Sequence, residues 1–161
     1  MRHDVMTFAV VCTLLSTAPS AHADTYRYLS KDDDGAATFI DETTINRNGD
    51  TTTVWLLTIT GEYLRGRTPL VAYYLIQQSL NCRTQRIRPA AMSTFSENGT
   101  RVHTDDAGAE EGPIEPGTIE QDIFKIACQQ KKAAAGSFKA GSPHTLAREF
   151  RNDVLKLKGQ W

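Results

Sequence analysis

What Cys82 and Cys128 can do constrains the fold of this chain more than any other feature, and the N-terminus decides the redox setting in which they work. Met1-Arg2-His3 leads into an apolar stretch from Thr7 to Leu15, then Pro19-Ser20-Ala21-His22-Ala23 precedes the polar Asp24-Thr25. A short cationic start, an apolar core well under the roughly 20 residues that span a bilayer, and small residues at Ala21 and Ala23 form a secretory signal peptide cut between Ala23 and Asp24. The competing reading, a buried N-terminal helix, would be interrupted by Pro19. The third cysteine, Cys12, lies inside the apolar core behind Val10-Val11, where a lipoprotein site requires a small residue, so it leaves with the signal. An even pair of cysteines in an exported chain reads as a disulfide, with two free buried thiols as the alternative. Closing a loop of about 45 residues would contribute roughly 4 kcal/mol in the chain-entropy model.

Beyond the signal, the longest apolar run, Leu70 to Ile76, is too short to cross a membrane. The 161 residues are 40% hydrophobic and carry 18 Lys+Arg against 19 Asp+Glu. That composition belongs to an ordinary globular domain, and a net charge of -1 disfavours nucleic acid as the main partner.

Asp24 to Val102 reads as strands and tight turns. Tyr26 and Tyr28 alternate with Arg27, Thr38-Phe39-Ile40 follows the Asp32-Asp33-Asp34-Gly35 turn, and Val54 to Ile59 is β-branched and aromatic. Asn48-Gly49 and Asn98-Gly99 each sit between strand-like segments and predict two hairpins. Leu70 to Arg88 fits one bent strand or two, carrying Cys82. Thr104 to Gly117 is a polar loop. From Ile119 the period becomes helical, with Thr118 and Gln121 as a capping box and Phe124 on the same face as Cys128. Gln129 to Gly141 reads as a linker, followed by an amphipathic helix from Ser142-Pro143 with Leu146, Phe150, Val154 and Leu157 on one stripe. Strands followed by helices predict an α+β fold: an antiparallel sheet, a helix disulfide-linked to it and a C-terminal amphipathic helix. The expected divisions are 1–23 signal, 24–130 domain and 131–161 linker and helix.

Catalytic and metal-binding patterns are weak. His103 and His144 are not spaced for zinc, and there is no G-x-S-x-G elbow. Gly136 to Ser142 has the outer glycines of a phosphate loop but Ser142 where lysine is required. Ser30 to Asp41 follows calcium-loop spacing, yet begins with Ser, ends with Asp and has strand-like flanks, so a surface turn is the better reading. Asp105-Asp106 and Glu110-Glu111 lie in a Gly-Pro loop, unlike the separated acids of a glycosidase. Arg83, Arg86 and Arg88 form a basic cluster near Cys82 in which Arg86 and Arg88 share a strand face; a solvated face pairing with that acidic loop is the better reading, with an anionic partner as the alternative. No cofactor or metal is expected.

The order Phe39-Ile40-Asp41, Ile45-x-Arg47-x-Gly49, Val54-Trp55, Asn81-Cys82-Arg83 with Arg86, Phe95 ahead of Asn98-Gly99, then Pro116-Gly117-Thr118 and a helix ending at Cys128 resembles the surface-adhesin protein E-like family of exported bacterial proteins. The resemblance covers about Thr25 to Gln130. It implies a small antiparallel sheet with one helix bridged to it by the two cysteines. The family's named member is an outer-membrane adhesin for host matrix and plasma proteins, so the implied partner is a protein ligand. No adhesive residue transfers to a position here, and no lipidation cysteine ends the signal. The expectation is therefore a non-catalytic, periplasmic or secreted binding domain. The alternatives are an envelope enzyme acting on glycan or peptidoglycan through acidic residues, and an inhibitory or structural partner docking through its C-terminal helix and Trp161.

Overall fold

The computed structural model describes residues 24–105, 108–130 and 137–158, with the side chains of 137–139 excepted. The signal with its Ala23 cleavage residue, Cys12, Asp106 and Trp161 lie outside the described residues, and Asp24 is the first residue inside them. No helix among the described residues is long and apolar enough to cross a membrane.

Six strands form an antiparallel meander: β1 (Asp24–Lys31), β2 (Ala37–Asn48), β3 (Thr51–Ile59), β4 (Tyr73–Asn81), β5 (Arg86–Phe95) and β6 (Arg101–Asp105). Two further strands join the same sheet. β7 (Gly112–Pro113) pairs with the start of β5, and β8 (Ser137–Ala140) lies along the outer edge of β1. Helix α1 (Gly61–Leu64) follows β3, α2 (Ile119–Ala127) precedes β8, and α3 (Pro143–Lys158) ends the described chain.

Both expected hairpins form. At the first, Asn48 stays in the strand and pairs with Thr51, so the tight turn is Gly49-Asp50, with Gly49 at φ +59 supplying the left-handed conformation. Leu70 to Arg88 divides into two strands around the turn 82–85, where the Asn81 side-chain oxygen accepts from the amides of Arg83 and Thr84 at 3.1 and 3.0 Å. Cys82 stands at the start of that turn.

The central strands β2 and β3 are apolar on both faces, and each face has its own helix. Ile40, Val54, Leu56, Leu80 and Ile87 pack against Ile123, Phe124, Ile126 and Ala127 of α2. On the opposite face Phe39, Leu57, Ile59 and Tyr73 pack against Leu146 and Ala147 of α3, with Tyr63 and Leu64 of α1 completing the cluster. Thr118 caps α2 by accepting from the Gln121 amide at 3.4 Å, while the Gln121 side chain accepts from Gly117, one residue before the cap. At the other end, Arg47 donates to the Ala127 carbonyl at 2.9 Å. The Cys82–Cys128 disulfide, bridging residues 46 apart, fastens the same helix end to the β4–β5 turn.

The segment read as a linker contains β8, whose pairing with β1 runs from Asp24↔Ala140 to Arg27↔Ser137. Its Ala-, Lys- and Gly-rich surroundings hide a strand too short to show a period. Ser142 caps α3, its hydroxyl accepting from the Thr145 amide at 3.1 Å. The apolar stripe of α3 holds at Leu146, Phe150 and Val154 but not at Leu157, which is 61% exposed. By then the helix has passed the sheet, and Leu155 instead meets Gly66 in the loop after α1. Arg151 fixes this end through an ion pair with Glu97 and a position 4.3 Å over the Tyr63 ring.

Two outcomes follow. Replacing both cysteines with alanine should lower stability by roughly 4 kcal/mol, read from denaturant unfolding under non-reducing conditions; an unchanged midpoint would show that the bridge constrains nothing. Leu146→Ala should cost about 2–5 kcal/mol because α3 is part of the core, and a cost near zero would mean that it is an appendage.

Candidate functional site

The antiparallel register arranges side chains into rows across the α3 face of the sheet. One row runs Ala37, Ile59, Tyr73, Phe95, Arg101, and the next Tyr28, Phe39, Leu57, Leu75, Ser93, Thr104. A third runs Tyr26, Asp41, Trp55, Gln77, Ala91. Helix α3 packs chiefly over the first two. Phe150 meets Phe39 edge to face at 5.0 Å, and His144 lies 6.2 Å from Tyr73 and above Gly99. The helix leaves a trough of about 280 Å³ between its first residue, Pro143, and the third row. Trp55, Leu57, Leu75 and Phe95 form its wall, Tyr26 and Asp41 lie at one end and Arg101 at the other.

A bulge places Asp41 there. Between Asp41↔Trp55 and Asn46↔Thr53, four residues of β2 face a single residue of β3. Thr44 replaces the missing ladder bonds, accepting from the Trp55 amide at 3.0 Å and donating to the Asp41 carbonyl at 2.8 Å. The Asp41 carboxylate accepts from the amide and hydroxyl of Thr43 at 3.0 and 2.6 Å, both through Oδ1. It is 5% exposed and forms no ion pair among the described residues.

Burial raises the Asp41 carboxyl above its ordinary range; the Thr43 bonds oppose the shift and the nearby Asp24 carboxylate adds to it. Burial likewise pushes the Tyr26 phenol far up, helped by Asp41 and Asp24, and pushes Tyr73 up to about 12. At the far end Arg101 sits 5.7 Å over the Phe95 ring. β6 and β2 are four strand spacings apart, about 19 Å, so Arg101 and Asp41 do not neutralise each other.

Apart from Asp41, the described residues weighed from sequence as catalytic, metal-binding or charged-cluster candidates fall outside the trough lining. His103 contacts Asp105 at 2.8 Å on exposed β6. Arg86 pairs with Glu111 of the acidic loop, as expected, whereas Arg83 pairs with Asp50 in the β2–β3 turn. In the calcium-like segment, Asp32 accepts from the Ala36 amide at 2.7 Å to close a turn, and Asp41 lies at the far side of the strand in the trough. Among the described residues no group of three His, Cys, Asp or Glu could hold a metal ion. A larger cleft of about 680 Å³ combines exposed charges of both signs, Lys31, Asp32, Arg65 and Lys158, with the apolar side chains of Tyr28, Leu64, Phe150 and Val154. The sequence assigned Asp41 to a surface turn, whereas it is the acid of the trough. The signal was its place two residues after Phe39, at the inward position of an apolar strand.

A carboxyl whose pKa is higher folded than unfolded stabilises the fold below the unfolded value and loses that contribution as pH rises through the folded value. Asp41→Asn keeps an acceptor for Thr43 and removes the charge. The variant should melt at a higher temperature than the parent at pH 7, the difference shrinking to nothing below about pH 4. A gain that is the same at every pH would disprove the electrostatic origin.

The family model described as surface-adhesin protein E matches residues 26–129, from β1 to just past Cys128. No curated protein matches the sequence. Among solved structures, crystal form II of Haemophilus influenzae protein E is similar with a TM-score of 0.52 and 15% identity, covering 76% of this chain and 98% of that one. That likeness is one of fold. Protein E from non-typeable Haemophilus influenzae aligns at 12% identity with a TM-score of 0.43, covering 86% of this chain and 92% of that one. Strand β8 and helix α3 lie beyond the matched residues, which span well over half of the sequence and every strand of the meander. The chain belongs to the surface-adhesin protein E family.

Proposed function

We propose that this protein is an exported, non-catalytic binding domain of the bacterial cell envelope that engages a protein ligand through the trough on the α3 face. The family match over residues 26–129 is the observation that carries this reading. The chemistry of the trough is consistent with binding. Among the described residues its lining holds one carboxylate, whereas glycosidases work with a pair set on either side of a cleft. Its Ser93 hydroxyl is 3.3 Å from the Thr104 hydroxyl, and among the described residues no base hydrogen-bonds to it to make a nucleophile. What it does offer is an aromatic and aliphatic wall with charge at either end, the composition of a recognition surface.

Export rests on the signal and on cleavage after Ala23, which would make Asp24 the first residue of the mature chain and of β1. In the mature form the domain would be periplasmic or released, with the disulfide formed in an oxidising compartment.

Surface plasmon resonance of residues 24–161 over purified extracellular-matrix and plasma glycoproteins should show saturable binding to at least one, weakened tenfold or more by Trp55→Ala. Binding to none, together with peptidoglycan or glycan turnover abolished by Asp41→Asn, would replace this reading with an enzymatic one.

A further inference from the structure

We propose that the Asp41 end of the trough binds a primary ammonium group on an unbranched alkyl chain, the chemistry of a lysine side chain. This rests on reading the trough as the binding surface and names what that surface selects.

The carboxylate itself is the first reason. Other acidic side chains near basic ones are paired: Glu42 with Arg27, Glu97 with Arg151, Glu111 with Arg86 and Asp50 with Arg83. Asp41 is buried more deeply than any of these, yet no cation meets it among the described residues. A carboxylate withdrawn from water without a counter-charge is held at a cost to the fold, and a ligand cation would remove that cost. Tyr26 and Trp55, its cross-strand neighbours, both line the trough. A carboxylate between aromatic side chains favours an organic cation over a strongly hydrated metal ion. The third reason is reach. From Asp41 the wall continues over Leu57 and Leu75 towards Phe95, an apolar path for an alkyl chain, while Arg101 lies about 19 Å away over Phe95.

The bonds at Asp41 also discriminate between cations. Both contacts from Thr43 fall on Oδ1. A guanidinium pairs best with two free carboxylate oxygens, whereas an ammonium needs one. With Oδ1 engaged, the ammonium is the better fit.

The test is isothermal titration calorimetry of residues 24–161 with Nα-acetyl-lysine methylamide, its norleucine and arginine counterparts, and 1,4-diaminobutane. The lysine compound or the diamine should bind at least tenfold more tightly than the norleucine compound and more tightly than the arginine compound. Which of the two amines binds better identifies the source as a polypeptide side chain or a free amine. Asp41→Asn should weaken amine binding at least tenfold while keeping the parent's circular dichroism, and Trp55→Leu should weaken it less. Equal binding of the norleucine compound, undiminished binding by Asp41→Asn, or no binding of either amine would overturn the proposal, including the case in which the mature chain's own α-ammonium at Asp24 already occupies Asp41. If glycoprotein binding still depended on Trp55 in that event, the trough would remain the binding surface and only its selectivity would fall; if it did not, both readings would fail.

Discussion

Burial of β2 and β3 on both faces is the constraint from which the rest of the architecture follows. Phe39 and Ile40 are adjacent residues that point in opposite directions and are both fully buried, and Leu56 and Leu57 repeat the pattern on the next strand. A sheet apolar on both sides cannot leave either one to water, so each needs a cover. α2 supplies one and α3 the other. Neither helix is long enough to cover all of its face. On the α3 side the uncovered remainder is the row through Asp41 and Trp55. The trough is thus what remains when a helix capped at Ser142 is laid over the first two rows of a sheet.

The two covers are secured differently. α2 is nine residues long, too short to be stable alone, and it carries a covalent bond, a capped N-terminus and an arginine on its last carbonyl. α3 is held by the depth to which Leu146 and Phe150 enter the sheet and by Arg151 between Glu97 and Tyr63. Against this well-fastened background, Asp41 is one group among the described residues that works against stability.

The fold was legible in the sequence wherever one signal dominated. Alternation and Asn-Gly pairs marked the hairpins, Thr118 marked the start of α2, and the parity of the cysteines marked the bridge. β8 and α1 were not legible, because four residues carry no usable period and both elements exist through tertiary contacts. The candidate site was visible only in pieces. Asp41 read from sequence as the end of a calcium-like turn; its lack of a cation among the described residues depends on what faces it from β1 and β3, and its aim depends on a bulge whose four residues look like ordinary strand. Cross-strand rows are set by register, and a register is a relation between segments that no single segment reveals.

The pairing of β8 with β1 has a kinetic meaning. Asp24 meets Ala140, so one flank of the first strand is completed only by residues near the far end of the chain. β1 can join β2 early, but its outer edge stays unpaired until nearly the whole polypeptide is available, and contacts of such long sequence separation slow the final step of folding. For the exported form proposed above, threading from the N-terminus would leave this edge of β1 unpaired until Ser137–Ala140 had emerged.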